Sequence, residues 1–423
     1  MKKQRSTFLL ILFMISGLML TITGCGQLTP TPSQKQWTVM FYAAGDNDLE
    51  QYIFNNVIQL QKAGSTSQVN IVAETDWWHH KGDAETLVTG EGVGRWYIEK
   101  SDTLTKISSK LIETLPEINT GLAESVKDFV IWAAQKYPAQ HYILIIGSHG
   151  GGWRKNQALQ TRGTGQDYTS DLTKQLLITL PDLKKVFPDI KSALGKNLDI
   201  LACDTCLNGM VEFVYQLKDY ADYMVLSEEI IQGTGFPLDT IAVNLVADPT
   251  ISAKNLAKDI VNQFYNLYNL QKYSTLAAID PTKITDVATT VKELALLFDT
   301  TTKDTAFNNL VNTATGQTYT IQRYSDVTFR DLWDMADKII QNWGSDPNYA
   351  SIVAKCATLK TAIEQAVILS KYTGGASDPY SVAGSHGLSI YIPTPQTTAY
   401  DTNYDSLDFT SFTGWGTFLQ RLK

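Results

Sequence analysis

The sequence predicts an α/β fold, a mostly parallel sheet flanked by helices, followed by a mainly helical C-terminal subdomain. Three observations carry that prediction. Strand-like and helix-like segments alternate between Trp37 and Ser227, the order that builds parallel crossovers with helices on both faces. Two of the strand-like segments are short apolar runs rich in Ile and Leu, at 142–146 and 198–202, as expected of strands buried on both faces. From about residue 245 helical periodicity takes over.

Taken in order, residues 37–45 read as a first strand. Asp46-Asn-Asp-Leu-Glu50 suits a helix N-terminus, because Asp and Asn cap free N–H groups, and the helix should run through Tyr52 to Gln61. Residues 69–76 read as a second strand. Alternation around Gly90, Gly92 and Gly94 predicts a hairpin over 86–99 at the sheet edge. An amphipathic helix over 121–136 feeds the strand that ends in Ser148-His149-Gly-Gly-Gly-Trp153, and residues 180–194 form helix or helical turns. The next strand ends in Cys203-Asp204-Thr-Cys206, followed by a helix over 207–220 and a strand over 223–227. Helices are expected over 255–270, 282–298, 329–342 and 352–370, and a late strand near 387–393 should return to the sheet.

Composition is that of a globular chain: 423 residues, 43% apolar and 18% charged. The net charge of −8 becomes −11 once Lys2, Lys3 and Arg5 are removed with the first 24 residues. An acidic surface disfavours nucleic acid and mildly attracts basic substrates. The N-terminus has a basic start, an apolar stretch from Phe8 to Leu20, and Ile22-Thr-Gly-Cys25, the plan of a secretory signal. The Cys after Thr-Gly resembles a bacterial lipobox, which implies cleavage before Cys25 and lipidation of that residue. An ordinary signal or an N-terminal anchor is the other reading. Residues 26–36 then form a flexible tether. The expected location is the bacterial cell envelope, outside the cytoplasm, with the membrane as a partner through Cys25. With Cys25 assigned, Cys203, Cys206 and Cys356 remain. An odd count is no disulfide framework, so at least one free thiol is expected.

The chemistry concentrates at two strand ends. Parallel neighbours lie about 5 Å apart and end on the same edge of the sheet. If these two strands pair, His149 and Cys206 meet there. A thiol is mostly protonated at neutral pH. A helix beginning near Leu207 would favour thiolate, and His149 can act as acid or base. The N–H groups of Gly150 and Cys206 can form an oxyanion hole, and glycines 150–152 allow close backbone approach.

The strand ending in His149-Gly, followed by the strand ending in Asp204-Thr-Cys206-Leu207, resembles the clostripain family of cysteine peptidases, in the clan of caspases, gingipains and legumains. Supporting segments are Ala44-Gly-Asp-Asn-Asp-Leu-Glu50, His149 to Trp153, Gly209-Met-Val-Glu212, Tyr220-Ala-Asp-Tyr223 with Ser227-Glu-Glu229, and Gly387-Leu-Ser-Ile-Tyr391. The resemblance implies a caspase-like catalytic domain over 37–245 with a subdomain over 246–423, a Cys206–His149 dyad, and cleavage after Arg or Lys. Asp204 matches the family's acidic specificity residue, and a carboxylate in a dry pocket pairs well with a cation; a helix cap is its other reading. Asn47 can line the same pocket or cap the first helix. Thr205 and Asn208 depart from the family, which often has Ala and Met there. The resemblance also implies self-cleavage in the loop after His149, at Arg162 or Lys155, giving a monomer nicked into two associated chains. Partners are then proteins or peptides with basic residues. No cofactor is required. Some relatives use calcium, but Asp167, Asp171 and Asp182 lack a calcium-loop spacing.

Two other classes compete. Cys203 and Cys206 form a C-x-x-C that could exchange disulfides, although Cys203 sits where a buried strand should still run. A catalytically inactive lipid-anchored binding protein would leave the strand-end pair unexplained. His149-Gly-Gly-Gly is also like an esterase oxyanion loop, but no G-x-S-x-G occurs in the chain. Adjacent His79 and His80 point to opposite faces if extended, His141 starts a strand, and His386 is the rival base.

Overall fold

The computed structural model describes residues 34–78, 92–103, 105–153, 164–167, 176–269, 273–312, 314–315, 318–375, 380–394 and 398–422. Nine strands form one sheet: β1 (Lys35–Gly45), β2 (Val69–Trp77), β3 (Val93–Tyr97), β4 (Lys110–Leu115), β5 (Ala139–Gly147), β6 (Leu198–Asp204), β7 (Ala221–Leu226), β8 (Thr275–Ile279) and β9 (Val367–Tyr372). Their order is β9-β8-β7-β6-β5-β1-β2-β3-β4. The five central strands, β7 to β2 in that order, pair in parallel, and two antiparallel strands extend each side.

Burial explains the central strands. Every residue of β2 and β6 is buried, as are nine consecutive residues of β1. Alternation then divides β1 between two apolar layers. Val39, Phe41 and Ala43 face Ile53, Phe54 and Val57 of helix α1 (Glu50–Gln61). Met40, Tyr42 and Ala44 face the layer that holds Phe129 of α2 (Ala123–Lys136) and Phe187 of α3 (Leu180–Leu194). Both faces are therefore covered, which is what all-apolar parallel strands require. Helix α3 occupies the span read from sequence; Thr179 caps its start by accepting from the Asp182 N–H, and Gly195 ends it at φ +69°.

The C-terminal half differs from expectation. Helix α4 is short (Val211–Leu217), and α5 (Leu238–Ala247) and α6 (Ala253–Tyr268) follow it. Helices α7 (Ile284–Leu297), α8 (Thr301–Asn312), α9 (Leu332–Trp343) and α10 (Ala350–Ala366) lead to β9. The helix expected over 352–370 stops at Ala366, where Val367 turns extended and begins β9. The β-branched pair Val367-Ile368 breaks helical preference there. Residues 34–423 form one compact unit, and β8 and β9 complete the sheet begun by residues before 245. The late strand is Ser389–Tyr391, and it does not join the large sheet. It pairs antiparallel with Phe329–Asp331, and Ser389 donates to the Gly209 carbonyl at 2.8 Å. The short ribbon thus braces the loop after Cys206. Only part of the hairpin expected over 86–99 is described: Val93–Tyr97 is antiparallel to β2, and the sheet edge beyond it is β4. No helix among the described residues is long and apolar enough to cross a membrane.

Candidate active site

Strands β5 and β6 are parallel neighbours with Gly147 opposite Asp204. His149 and Cys206 each lie two residues beyond that pair, so the chain delivers both to one edge. A cavity of about 400 Å³ opens there, lined by His149, Gly150, Asp204 and Cys206, with Ile53 and Asn56 of α1 on another wall. The two strand ends touch through backbone: a Cβ on Gly150 would fall 2.3 Å from the Cys206 carbonyl oxygen and 2.6 Å from the Cys206 nitrogen. Only glycine permits that approach.

The turn after Cys206 is held by the two residues that depart from the family. Asn208 Nδ2 donates to Thr205 Oγ1 at 2.6 Å, and Asn208 Oδ1 accepts from the Gly152 N–H at 3.1 Å. This clip ties the glycine loop after His149 to the loop that carries Cys206. Leu207 has φ +62°, a left-handed conformation rare for a bulky residue. Helix α4 therefore starts at Val211 rather than at Leu207. The expected stabilisation of thiolate by a helix N-terminus at Cys206 does not hold.

The thiol points elsewhere. Cys206 Sγ lies 3.8 Å from the Ile231 carbonyl oxygen, and burial, with smaller contributions from Glu229 and Asp204, pushes the thiol up to about 12. The His149 ring is mostly buried and its Nε2 sits 2.6 Å from Asp48 Oδ1. Sequence reasoning missed Asp48, which reads as one more polar residue in a capping stretch. Cys203 is fully buried in the apolar layer and its thiol is likewise pushed up to about 12 by burial. All three described cysteines are free thiols. A core thiol on β6 is badly placed for disulfide exchange with Cys206.

Asp204 is buried beside the thiol. Its Oδ2 accepts from the Phe236 N–H at 2.8 Å and from Asn56 Nδ2 at 3.4 Å. Its Oδ1 is buried with no hydrogen-bond partner among the described residues. Burial raises this carboxyl to about 7. Gly235, at φ +65°, brings the 232–235 loop over it, since a Cβ there would lie 2.4 Å from Oδ2. Helix α4 begins seven residues on from Asp204, so the helix-cap alternative is not realised.

The N-cap position of α1 is Leu49, so Asn47 takes neither of its two readings. It is fully buried and braces the turn between β1 and α1, donating to the Ala44 carbonyl and accepting from the Leu49 N–H, both at 3.0 Å. It does not line the cavity; Leu49, Ile53 and Asn56 do so on that side. His386 lies 3.3 Å from Asp331 Oδ1 and stacks on Trp333 with ring centres 3.9 Å apart, away from the cavity lining. His141 pairs with Asp199 at 2.7 Å, at the start of β5. His79, His80, Cys25, Lys155 and Arg162 lie outside the described residues. Trp153, two residues before Lys155 in the sequence, is buried against Tyr391 and Tyr404, with ring centres 5.2 and 5.0 Å away.

One further group of acids stands out. Donor atoms of Asp46, Asp76, Glu117 and Asp167 lie within 4.8 Å of one another. Burial, then Glu117, Asp46 and Asp167, push Asp76 well above the usual carboxylate range. An all-oxygen set of this kind matches the chemistry of calcium or magnesium rather than zinc. Of the acids weighed from sequence, Asp167 belongs to this group, Asp182 instead joins Thr179 at the start of α3, and Asp171 lies outside the described residues.

A sequence profile described as the clostripain family matches residues 41–421. Clostripain of Hathewaya histolytica is 24% identical over 414 residues, covering 87% of this chain and 76% of that protein. Among solved structures, an inactive zymogen C11 protease from Parabacteroides distasonis has 21% identity and a TM-score of 0.65, covering 90% of this chain and 99% of its own. A secreted C11 cysteine protease from Bacteroides thetaiotaomicron, in complex with an irreversible peptide inhibitor, has 20% identity and a TM-score of 0.64, with the same coverage.

Proposed function

The chain belongs to the clostripain family and is a cysteine peptidase, and from that premise we propose that it cleaves peptide bonds after Arg or Lys through Cys206 and His149. The observation that carries the specificity is Asp204: a buried carboxylate beside the thiol, with one oxygen lacking a partner among the described residues. A guanidinium or ammonium group supplies the missing countercharge.

In this reading His149 takes the Cys206 proton and the thiolate attacks the substrate carbonyl. The N–H groups of Gly150 and Cys206 face the developing oxyanion. His149 returns the proton to the departing amine, and then activates the water that cleaves the thioester. The raised thiol pKa means that little thiolate exists before His149 engages.

A panel of reporter peptides carrying Arg, Lys, Asp or Asn before the scissile bond tests the specificity. Turnover of the Arg and Lys peptides at least a hundredfold above the others is expected. Equal turnover of all four, or preference for Asp or Asn, would overturn it.

Two further parts of the proposal concern maturation and place. The enzyme activates itself by cleavage after Arg162, or else Lys155, and remains a monomer of two associated chains. Lipidation of Cys25 anchors it at the cell envelope. Acyl chains on Cys25 would hold the protein by burying their CH₂ groups in the bilayer, so Cys25→Ser should move the protein from the membrane to the soluble fraction on cell fractionation. An unchanged membrane fraction would show that another element holds it there.

A further inference from the structure

The turn between β1 and α1 delivers one side chain to His149. Buried Asn47 grips the turn from both sides, donating to the Ala44 carbonyl and accepting from the Leu49 N–H, and the Glu50 N–H closes on the Asn47 carbonyl at 3.1 Å. Asp48 lies between these anchors. Its backbone is pinned while its side chain stays 61% exposed and reaches His149 Nε2 at 2.6 Å.

We propose that Asp48 is a positioning residue for the peptidase reaction, holding His149 with its proton on Nε2 and leaving Nδ1 as the base for Cys206. The proposal rests on the assignment of Cys206 and His149 made above. An ionised carboxylate only accepts hydrogen bonds, so Nε2 must be the donor. The neutral ring then carries its lone pair on Nδ1, and one acceptor fixes both tautomer and ring direction. When the ring takes the thiol proton, the same anion stabilises the imidazolium. Other ionisable groups share the cavity: Cys206 and Asp204 from the end of β6, and Asp326 across from them. Asp204 is engaged through Oδ2 by Phe236, and Asp326 through Oδ1 by Thr328. Among the described residues, Asp48 is the one hydrogen-bonded to the ring. Asn47, expected in the specificity pocket, thus serves the histidine instead.

Asp48→Asn keeps the shape and removes the charge. In the mature enzyme it should lower kcat about tenfold or more with KM within twofold. Asp48→Glu should recover part of the loss. On the full-length chain, the rate at which iodoacetamide alkylates Cys206 near pH 6.5 should also fall, and this readout needs neither substrate nor processing. Unchanged kcat, a loss confined to KM or faster alkylation would overturn the proposal. A wild-type enzyme that cleaves no peptide would instead overturn the peptidase assignment, while the alkylation rates would still decide the role of Asp48.

Discussion

Cys206→Ala should abolish peptide hydrolysis, lowering kcat/KM by about ten-thousandfold or more, as removal of a nucleophile does elsewhere. The fold should survive. Cys206 is a small, half-buried residue whose thiol contacts one carbonyl at 3.8 Å, and the turn around it is held by Thr205, Asn208 and Gly209 rather than by sulfur. Two measurements separate chemistry from folding. Circular dichroism of the variant should match that of the wild type, and denaturing electrophoresis should show a single intact chain for the variant and two fragments for the wild type if the proposed self-cleavage occurs. Retained turnover would remove Cys206 from the mechanism. Two fragments from the variant would mean that another protease makes the cut, leaving the nucleophile assignment intact.

Asp204→Asn should cut kcat/KM for Arg and Lys peptides by on the order of a hundred- to thousandfold, the worth of a desolvated charge pair. Stability should move the other way. The folded carboxyl titrates near 7, well above its unfolded value, because burial penalises the ion. Such a group contributes most below the unfolded pKa and loses that contribution as pH rises to about 7. The variant should therefore gain in Tm relative to wild type between pH 4 and pH 7, and keep that advantage above 7. Substrate binding carries the same signature. A basic side chain needs the carboxylate ionised, so the wild-type KM for Arg and Lys peptides should rise about tenfold per pH unit below 7. The variant should lack that dependence. A variant that loses both activity and stability at every pH would make Asp204 a structural residue instead.

How much of this was legible from sequence follows from burial. Strands β1, β5 and β6 each carry an apolar run that covers both faces, and such runs stand out without any partner information. Helix α3 declared both ends through Thr179 and Gly195. The parallel direction of β5 and β6 followed from the crossover rule, while their adjacency was a condition that the sheet order meets. Strand β8 was harder, because it is only five residues long and its centre, Leu276-Ala-Ala278, has no β-branched residue. Strand β9 directly continues a helix. At the site, Cys206, His149 and Asp204 stood out because each lies at or just past the end of a buried strand, and the role expected of Asp204 came from the family resemblance. Asp48 was not, because an exposed acid in a turn has an ordinary capping role and its reach to His149 exists only in three dimensions. The four-carboxylate group was hidden for the same reason, since four separate segments contribute to it.

The strand order has a consequence for a chain cut between Trp153 and Thr164. Everything before the cut supplies β5, β1, β2, β3 and β4; everything after it supplies β6, β7, β8 and β9. The sheet divides into two contiguous halves with no interleaving, and the seam is the β5–β6 pairing. His149 and Cys206 sit on opposite sides of it. A cut there turns an intramolecular site into one shared between two subunits, each inert alone. The grip of Tyr391 and Tyr404 on Trp153 is then a quaternary contact, and catalytic competence becomes a measure of subunit association.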